Sequence, residues 1–197
     1  EEVIWDQSNT PDAGDQVFTT SYTDFTVKNT YAPTPGSIQV KKHLYLPMKE
    51  DGVTPSAFPA VTFQLTRQVK NTDGKYVDDD TFEDPTGVIT SEQVSKAYEE
   101  LATEDKESGL VTLSLTFSGL DLYAPDGTEY QYTVTEIKNQ LMGYDTWAAA
   151  NEVDAEKLEA TKGAEGVEFI VNLTPKTGDE AEDIQATFLN KQPDKPE

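Results

Sequence analysis

An all-β fold, an antiparallel sandwich with one or two short inserted helices, is the architecture this sequence predicts. Three observations point to it. Short runs of alternating apolar and polar residues recur from about residue 38 to 192, turn-forming dipeptides separate them, and one stretch carries helical spacing behind a capping pattern. Period-two alternation marks strands that bury one face. Several such strands joined by turns favour two packed antiparallel sheets.

The elements follow in chain order. Residues 1–31 resemble residues 167–192 in pattern: each reads as a strand, a polar Thr-Pro-x-x-Gly-Asp turn and a second strand, the first copy running Phe25-Thr26-Val27-Lys28-Asn29-Thr30 and the other ending Phe188-Leu189-Asn190-Lys191. The expectation is the terminal hairpin of a preceding module, followed by one complete module over 38–192. Such repetition points to a stalk. Residues 32–37, with two prolines, a glycine and a serine, read as the linker, and residues 193–197 as a tail or second linker.

Within the complete module, Ile38, Val40, Lys42 and Leu44 share one face of the first strand, and Gln39, Lys41, His43 and Tyr45 share the other. Val61, Phe63 and Leu65 define the next strand; Val111, Leu113, Leu115 and Phe117 a third; Tyr130, Tyr132, Val134 and Glu136 a fourth. Val167, Phe169, Val171 and Leu173, then Ile184, Ala186, Phe188 and Asn190, complete the set. Asp73-Gly74 and Asp126-Gly127 are favoured hairpin dipeptides. Thr90 caps a helix with Gln93 three residues on, and Val94, Ala97, Tyr98 and Leu101 fall on its inner face. The Ala- and Glu-rich stretch 148–162 is either a second short helix or a mobile loop.

Composition narrows the function. The 197 residues carry 37 acidic and 15 basic side chains, a formal net charge of −22. This balance repels phosphate backbones and excludes nucleic acid as a partner. No run approaches the roughly 18 apolar residues of a membrane helix, so membrane insertion is not expected, and no signal peptide or anchor is visible. A piece of a longer chain is the expectation. Cysteine is absent, so a secreted domain of this kind would need a staple other than a disulfide.

Three polar residues occupy positions where the alternation calls for apolar ones: Lys42, Glu136 and Asn190. One inward lysine is ordinarily a strand end whose ammonium reaches water, and one inward glutamate has a similar explanation. Three in one sheet protein fit this less well, because unpaired buried charge is costly.

The blocks around these residues carry a resemblance. Ile38-Gln39-Val40-Lys41-Lys42, Pro59 through Phe63-Gln64-Leu65, Phe117-Ser118-Gly119-Leu120-Asp121-Leu122-Tyr123 with Asp126-Gly127, Tyr130-Gln131-Tyr132-Thr133-Val134-Thr135-Glu136, Gly143-Tyr144 and Thr187-Phe188-Leu189-Asn190 follow one another in the order and spacing of a known pattern. Over about residues 37–192 the chain resembles the Cna protein B-type domains of Gram-positive surface proteins, relatives of streptococcal-type major pilin domains. The resemblance implies a reverse immunoglobulin-like sandwich, a Lys42–Asn190 isopeptide bond, and Glu136 as the acid that shuttles protons while it forms. It also implies a cell-wall-anchored extracellular stalk or pilus, tethered by a sortase through regions outside this sequence and flanked by further repeats. Asn29 would be the equivalent acceptor of the preceding module.

The chemistry is consistent with these residue types. An apolar interior disfavours a lysine cation and a carboxylate alike, and a neutral amine is a nucleophile. A protonated carboxyl group can polarise an amide carbonyl and carry protons to departing ammonia. An amide is a poor electrophile, but oriented intramolecular reactions gain effective molarities of roughly 10⁵–10⁸ M. Lys41, the adjacent candidate, shares its face with Gln39 and His43, so register favours Lys42.

Other signals are weaker. His43, the single histidine, sits on a face expected to meet solvent, which leaves no material for a serine-hydrolase triad or a histidine zinc site. Asp78-Asp79-Asp80 with Glu83 and Asp84 lacks the ligand spacing of a calcium loop and reads as a solvated acidic loop. Trp147 and Tyr144 could form a glycan platform but suit a core better. No cofactor or metal is expected, and no carboxylate pair suggests a glycosidase. The alternative to a stalk is an adhesin that contacts a host protein or glycan through 76–109 or 145–165.

Overall fold

The computed structural model describes residues 35–137, 141–151, 153–159, 168–171 and 184–193. The chain divides into two units, Glu1–Ala32 and Pro33–Glu197, and every described residue lies in the second. The expected hairpin over 1–31, Asn29 with it, and the tail from 194 onward lie outside the described residues. Gly36 and Ser37, expected in the linker, already pair within a sheet.

Nine strands and three short helices are described: β1 Gly36–Tyr45, β2 Val61–Lys70, β3 Tyr76–Asp78, β4 Thr86–Ile89, α1 Ser91–Glu99, α2 Thr103–Lys106, β5 Leu110–Leu120, β6 Tyr130–Ile137, β7 Asp145–Ala150, α3 Ala155–Glu159, β8 Glu168–Val171 and β9 Ile184–Lys191. One sheet has the order β5-β1-β9-β7; the other has β3-β2-β6-β8, with β4 also pairing β2. Pairing is antiparallel with one exception. β1 and β9 run parallel, Lys42 opposite Phe188 and Leu44 opposite Asn190. This corrects a purely antiparallel expectation: the first and last strands of the module enter the centre of one sheet from the same end.

The alternating burial of β1, β2 and β6 follows from the pleat, which sends successive side chains to opposite faces. Ile38, Val40, Leu44, Phe63, Leu65, Tyr132, Val134, Ala186 and Phe188 are fully buried in one core. The Phe63 ring of one sheet meets the Phe188 ring of the other edge-on, 5.0 Å between centroids, so the sheets pack face to face. At one side β4 closes onto β5. A Cβ at Gly87 would lie 2.8 Å from a Leu115 methyl, so a larger residue there would have to push that side chain aside.

The expected helix forms as α1, with the full capping box between Thr90 and Gln93, and Val94 and Tyr98 buried. Gly127, at a φ of 86°, takes the left-handed turn conformation that Asp126-Gly127 suggested. Three strands were not anticipated. β3 and β4 are too short to show a period, and β7 (Asp145-Thr146-Trp147-Ala148-Ala149-Ala150) has no clean alternation. Of the stretch 148–162, the described residues supply the end of β7 and the helix α3, and residues 152 and 160–162 are not among them.

Helix α3 changes the reading of one face. Ala155 and Leu158 pack with Leu189 in a second, smaller core that includes Tyr45, Leu110, Trp147 and Val153. The outer face of β1 and β9 is thereby covered, and five successive residues of β9, Ala186 to Asn190, are buried. His43 is accordingly not a surface residue: it is 5% exposed.

Candidate functional site

β1 and β9 lie side by side in one sheet, and β6 lies in the other. Lys42 of β1 and Asn190 of β9 point into the core because they continue the faces of Ile38, Val40 and Leu44 and of Ala186 and Phe188. Glu136 of β6 continues the face of Tyr132 and Val134 and points back at them. Lys42 and Asn190 are 0% exposed and Glu136 is 2% exposed.

Lys42 Nζ donates to Glu136 Oε2 at 2.6 Å, and both side chains are wholly enclosed. Asn190 sits one pleat repeat along from Phe188, the residue beside Lys42. This diagonal placement on one face lies within reach of a long side chain. Asn190 Nδ2 donates to Thr146 Oγ1 of β7 at 2.7 Å. Among the described residues, two buried oxygens have no hydrogen-bond partner, Glu136 Oε1 and Asn190 Oδ1. Buried acceptors are almost always satisfied, so two in one cluster mark a site that packing alone does not explain.

The walls are apolar. Phe188 stands beside Lys42 in the sheet, Phe63 stands beside Glu136, and the two rings touch. The low dielectric that results strengthens electrostatic interactions inside the site and raises the cost of leaving a charge unpaired. Lys41, on the other face of β1, is only half-buried, as the period-two argument requires. The site therefore encloses an amine, a carboxyl group and a carboxamide among apolar walls, which are the parts an amide exchange needs.

Sequence reasoning missed Thr146. It is 4% exposed and directly opposite Asn190 in the β7–β9 register. It also missed Arg67, which continues the inward face of β2. The Arg67 guanidinium lies 4.0 Å from the Tyr130 ring centre and 4.5 Å from that of Phe82, and pairs with Asp79 at 2.8 Å. Asp79 is thus not part of a solvated acidic loop. Hydrogen bonds from Thr81, with Arg67 beside it, hold its carboxyl below the usual range. Burial pushes the neighbouring Tyr132 phenol up to about 12, against the pull of Arg67. An aspartate in the β2–β3 region and an arginine at the end of an apolar face were the available signals.

Elsewhere, the His43 ring is held on both sides, Nδ1 to Thr112 Oγ1 at 2.8 Å and Nε2 to the Val153 carbonyl at 2.9 Å. A carbonyl can only accept, so Nε2 carries the proton and Nδ1 accepts from the Thr112 hydroxyl. Tyr144 is buried in the main core, and Trp147 packs against the second. No group of three or more potential ligands is placed to hold a metal ion among the described residues. No helix among them is long and apolar enough to cross a membrane. No model of a known protein family matches the chain, and no curated protein matches it.

Proposed function

We propose that this chain is a structural stalk or pilus module of a Gram-positive cell surface, that its sandwich is of the immunoglobulin-like Cna B-type, and that it cross-links itself through a Lys42–Asn190 isopeptide bond with Glu136 as the proton carrier. The supporting observation is the enclosed Lys42–Glu136 pair at 2.6 Å beside a buried Asn190 whose carbonyl oxygen has no donor. In this mechanism the proton passes from Lys42 to Glu136 and leaves a neutral amine. Nζ attacks Asn190 Cγ and a C–N bond forms. Glu136 carries one proton from Nζ to Nδ2, the Cγ–Nδ2 bond breaks, and ammonia departs. Each chain reacts once and no external substrate is consumed, so the module is not an enzyme in the ordinary sense.

The topology makes such a bond mechanically useful. β1 enters at Gly36, β9 leaves at Lys191, and the two run parallel as neighbours. Tension applied through the two ends shears one strand against the other. A covalent bridge from Lys42 to Asn190 carries that load past everything folded between them, and it cannot be reduced. Closing so long a loop also constrains the unfolded chain, as a disulfide does. Secretion, sortase tethering and flanking repeats belong to the same proposal.

A contiguous exposed apolar or aromatic patch would favour an adhesin acting through 76–109 or 145–165. The large apolar side chains exposed among the described residues are Val53, Val77, Val88 and Met142, none aromatic, which favours the spacer. The test is the intact mass of the purified chain. Loss of one ammonia in the wild type and its retention in Lys42→Ala, Glu136→Ala and Asn190→Ala is the expected result. An unshifted wild-type mass refutes the proposal.

A further inference from the structure

We infer that Thr146 is a positioning residue for the cross-linking reaction: its hydroxyl holds the leaving nitrogen of Asn190 on the β7 side and leaves the carboxamide carbon open to Lys42 from the β1 side. The inference rests on the function proposed for Lys42, Glu136 and Asn190.

The geometry comes from the strand order. β9 lies between β1 and β7, so the inward side chain of Asn190 has Leu44 on one flank and Thr146 on the other. Lys42 belongs to the strand on the first flank. Asn190 Nδ2 is drawn to the second by its 2.7 Å bond to Thr146 Oγ1. The terminal torsion of an asparagine is broad and roughly two-fold, and a hydroxyl can bond either end of the amide. In this structure Thr146 Oγ1 holds the nitrogen end, and without the contact nothing among the described residues of the β7 flank restrains the torsion. With it, the leaving group points away from the nucleophile's strand, and Oδ1 is the end of the amide that stays without a partner among the described residues.

A valine would fill nearly the same space at this buried position, so the hydroxyl is the feature that matters. A buried hydroxyl is tolerated only when it is bonded, and here the bond goes to the one side chain whose orientation the reaction depends on. As the Cγ–Nδ2 bond breaks, the same oxygen can keep its hydrogen bond to the departing ammonia. The reaction balance is unchanged, since Thr146 neither gains nor loses a proton.

The experiment follows the full chain after cell-free synthesis, with translation stopped and intact mass recorded at intervals. Wild type is expected to lose one ammonia, Thr146→Val to lose it about 10- to 100-fold more slowly, in line with the sensitivity of oriented reactions to small misplacements, and Thr146→Ser to recover most of the wild-type rate. The two Thr146 variants are also placed in a Glu136→Ala background, where no cross-link forms, and both are expected to stay folded without urea, Thr146→Val at the lower midpoint because the Asn190 amide loses its acceptor. A Thr146→Val chain that reacts as fast as wild type overturns the positioning role alone. So does a Thr146→Ser chain as slow as the valine variant, or a Thr146→Val chain already unfolded without urea in the unreacted background. Wild type that never loses ammonia overturns the cross-linking function and the positioning role with it.

Discussion

The two faces of β1 both bury a basic side chain, and they treat it in opposite ways. On the outer face, His43 is neutral and closed in: one ring nitrogen donates to Val153, the other accepts from Thr112, and the nearby Thr187 hydroxyl donates to the Asn151 carbonyl while accepting from the Val153 amide. On the inner face, Lys42 faces Glu136 across the two sheets, and two oxygens of the cluster lack donors. The outer network is complete and serves to seat the α3 segment. The inner cluster is incomplete as a set of hydrogen bonds. A buried ion pair is weak evidence for stability, because desolvation offsets much of the attraction. Burial of a polar group thus does not identify its role; what its partners leave unsatisfied does.

The inner and outer faces separate most strongly when the inner pair is replaced by apolar residues of similar size. If Lys42 and Glu136 were only an ion pair, Lys42→Met with Glu136→Leu would be neutral or stabilising by about 1–4 kcal/mol. The cross-linked account predicts the reverse: urea unfolding at lower concentration, with a loss on the order of 4–5 kcal/mol from the opened loop. On the outer face, Leu158→Ala should cost about 2–4 kcal/mol by emptying the second core and should leave the loss of ammonia intact. Thr187→Val should cost about 1–2 kcal/mol, since a backbone amide and a carbonyl lose their partner, again with the mass unchanged. An outer-face variant that abolished the mass shift would erase the distinction between the faces.

The smallest effect is a pH dependence on the outer face. Burial pushes His43 below its ordinary 6.5, against the Val153 carbonyl, which pulls it up. The unfolded chain therefore binds the extra proton first as the pH falls. The contribution of His43 is fully present above about pH 6.5 and is lost as the pH drops through the window below it. A plot of the urea midpoint against pH should steepen there for wild type and flatten for His43→Gln. A midpoint that rose on acidification through this window would contradict the assignment. Lys41 and Asp154 act on the ring, the lysine lowering and the aspartate raising it; Lys42 also lowers it, but only while it carries a charge, which the cross-link removes.

The sequence made the inner face legible because Lys42, Glu136 and Asn190 each sit in a long strand with clean alternation, so the side they face can be counted from their neighbours. The capped helix α1 was readable for a similar reason: Thr90, Gln93, Val94 and Tyr98 form a local pattern that needs no distant partner. The rest depends on contacts remote in sequence. Burial of His43 requires a cover from residues 151–158, and nothing near residue 43 announces it. Thr146 stands in a strand of alanines whose pairing with β9 cannot be read from alternation. Arg67 gains its partners from a short hairpin and from β6, and its inward direction at the end of an apolar face was the one local sign. The parallel β1–β9 pairing is a property of the whole topology and has no local signature.

The most direct test of the central claim is a peptide map of the denatured, protease-digested protein by tandem mass spectrometry. The account predicts a branched peptide in which the segment containing Lys42 is joined to the segment containing Asn190, lighter than their sum by one ammonia, and missing from digests of the Glu136→Ala variant. Recovery of both segments only as separate linear peptides from the wild type would contradict it.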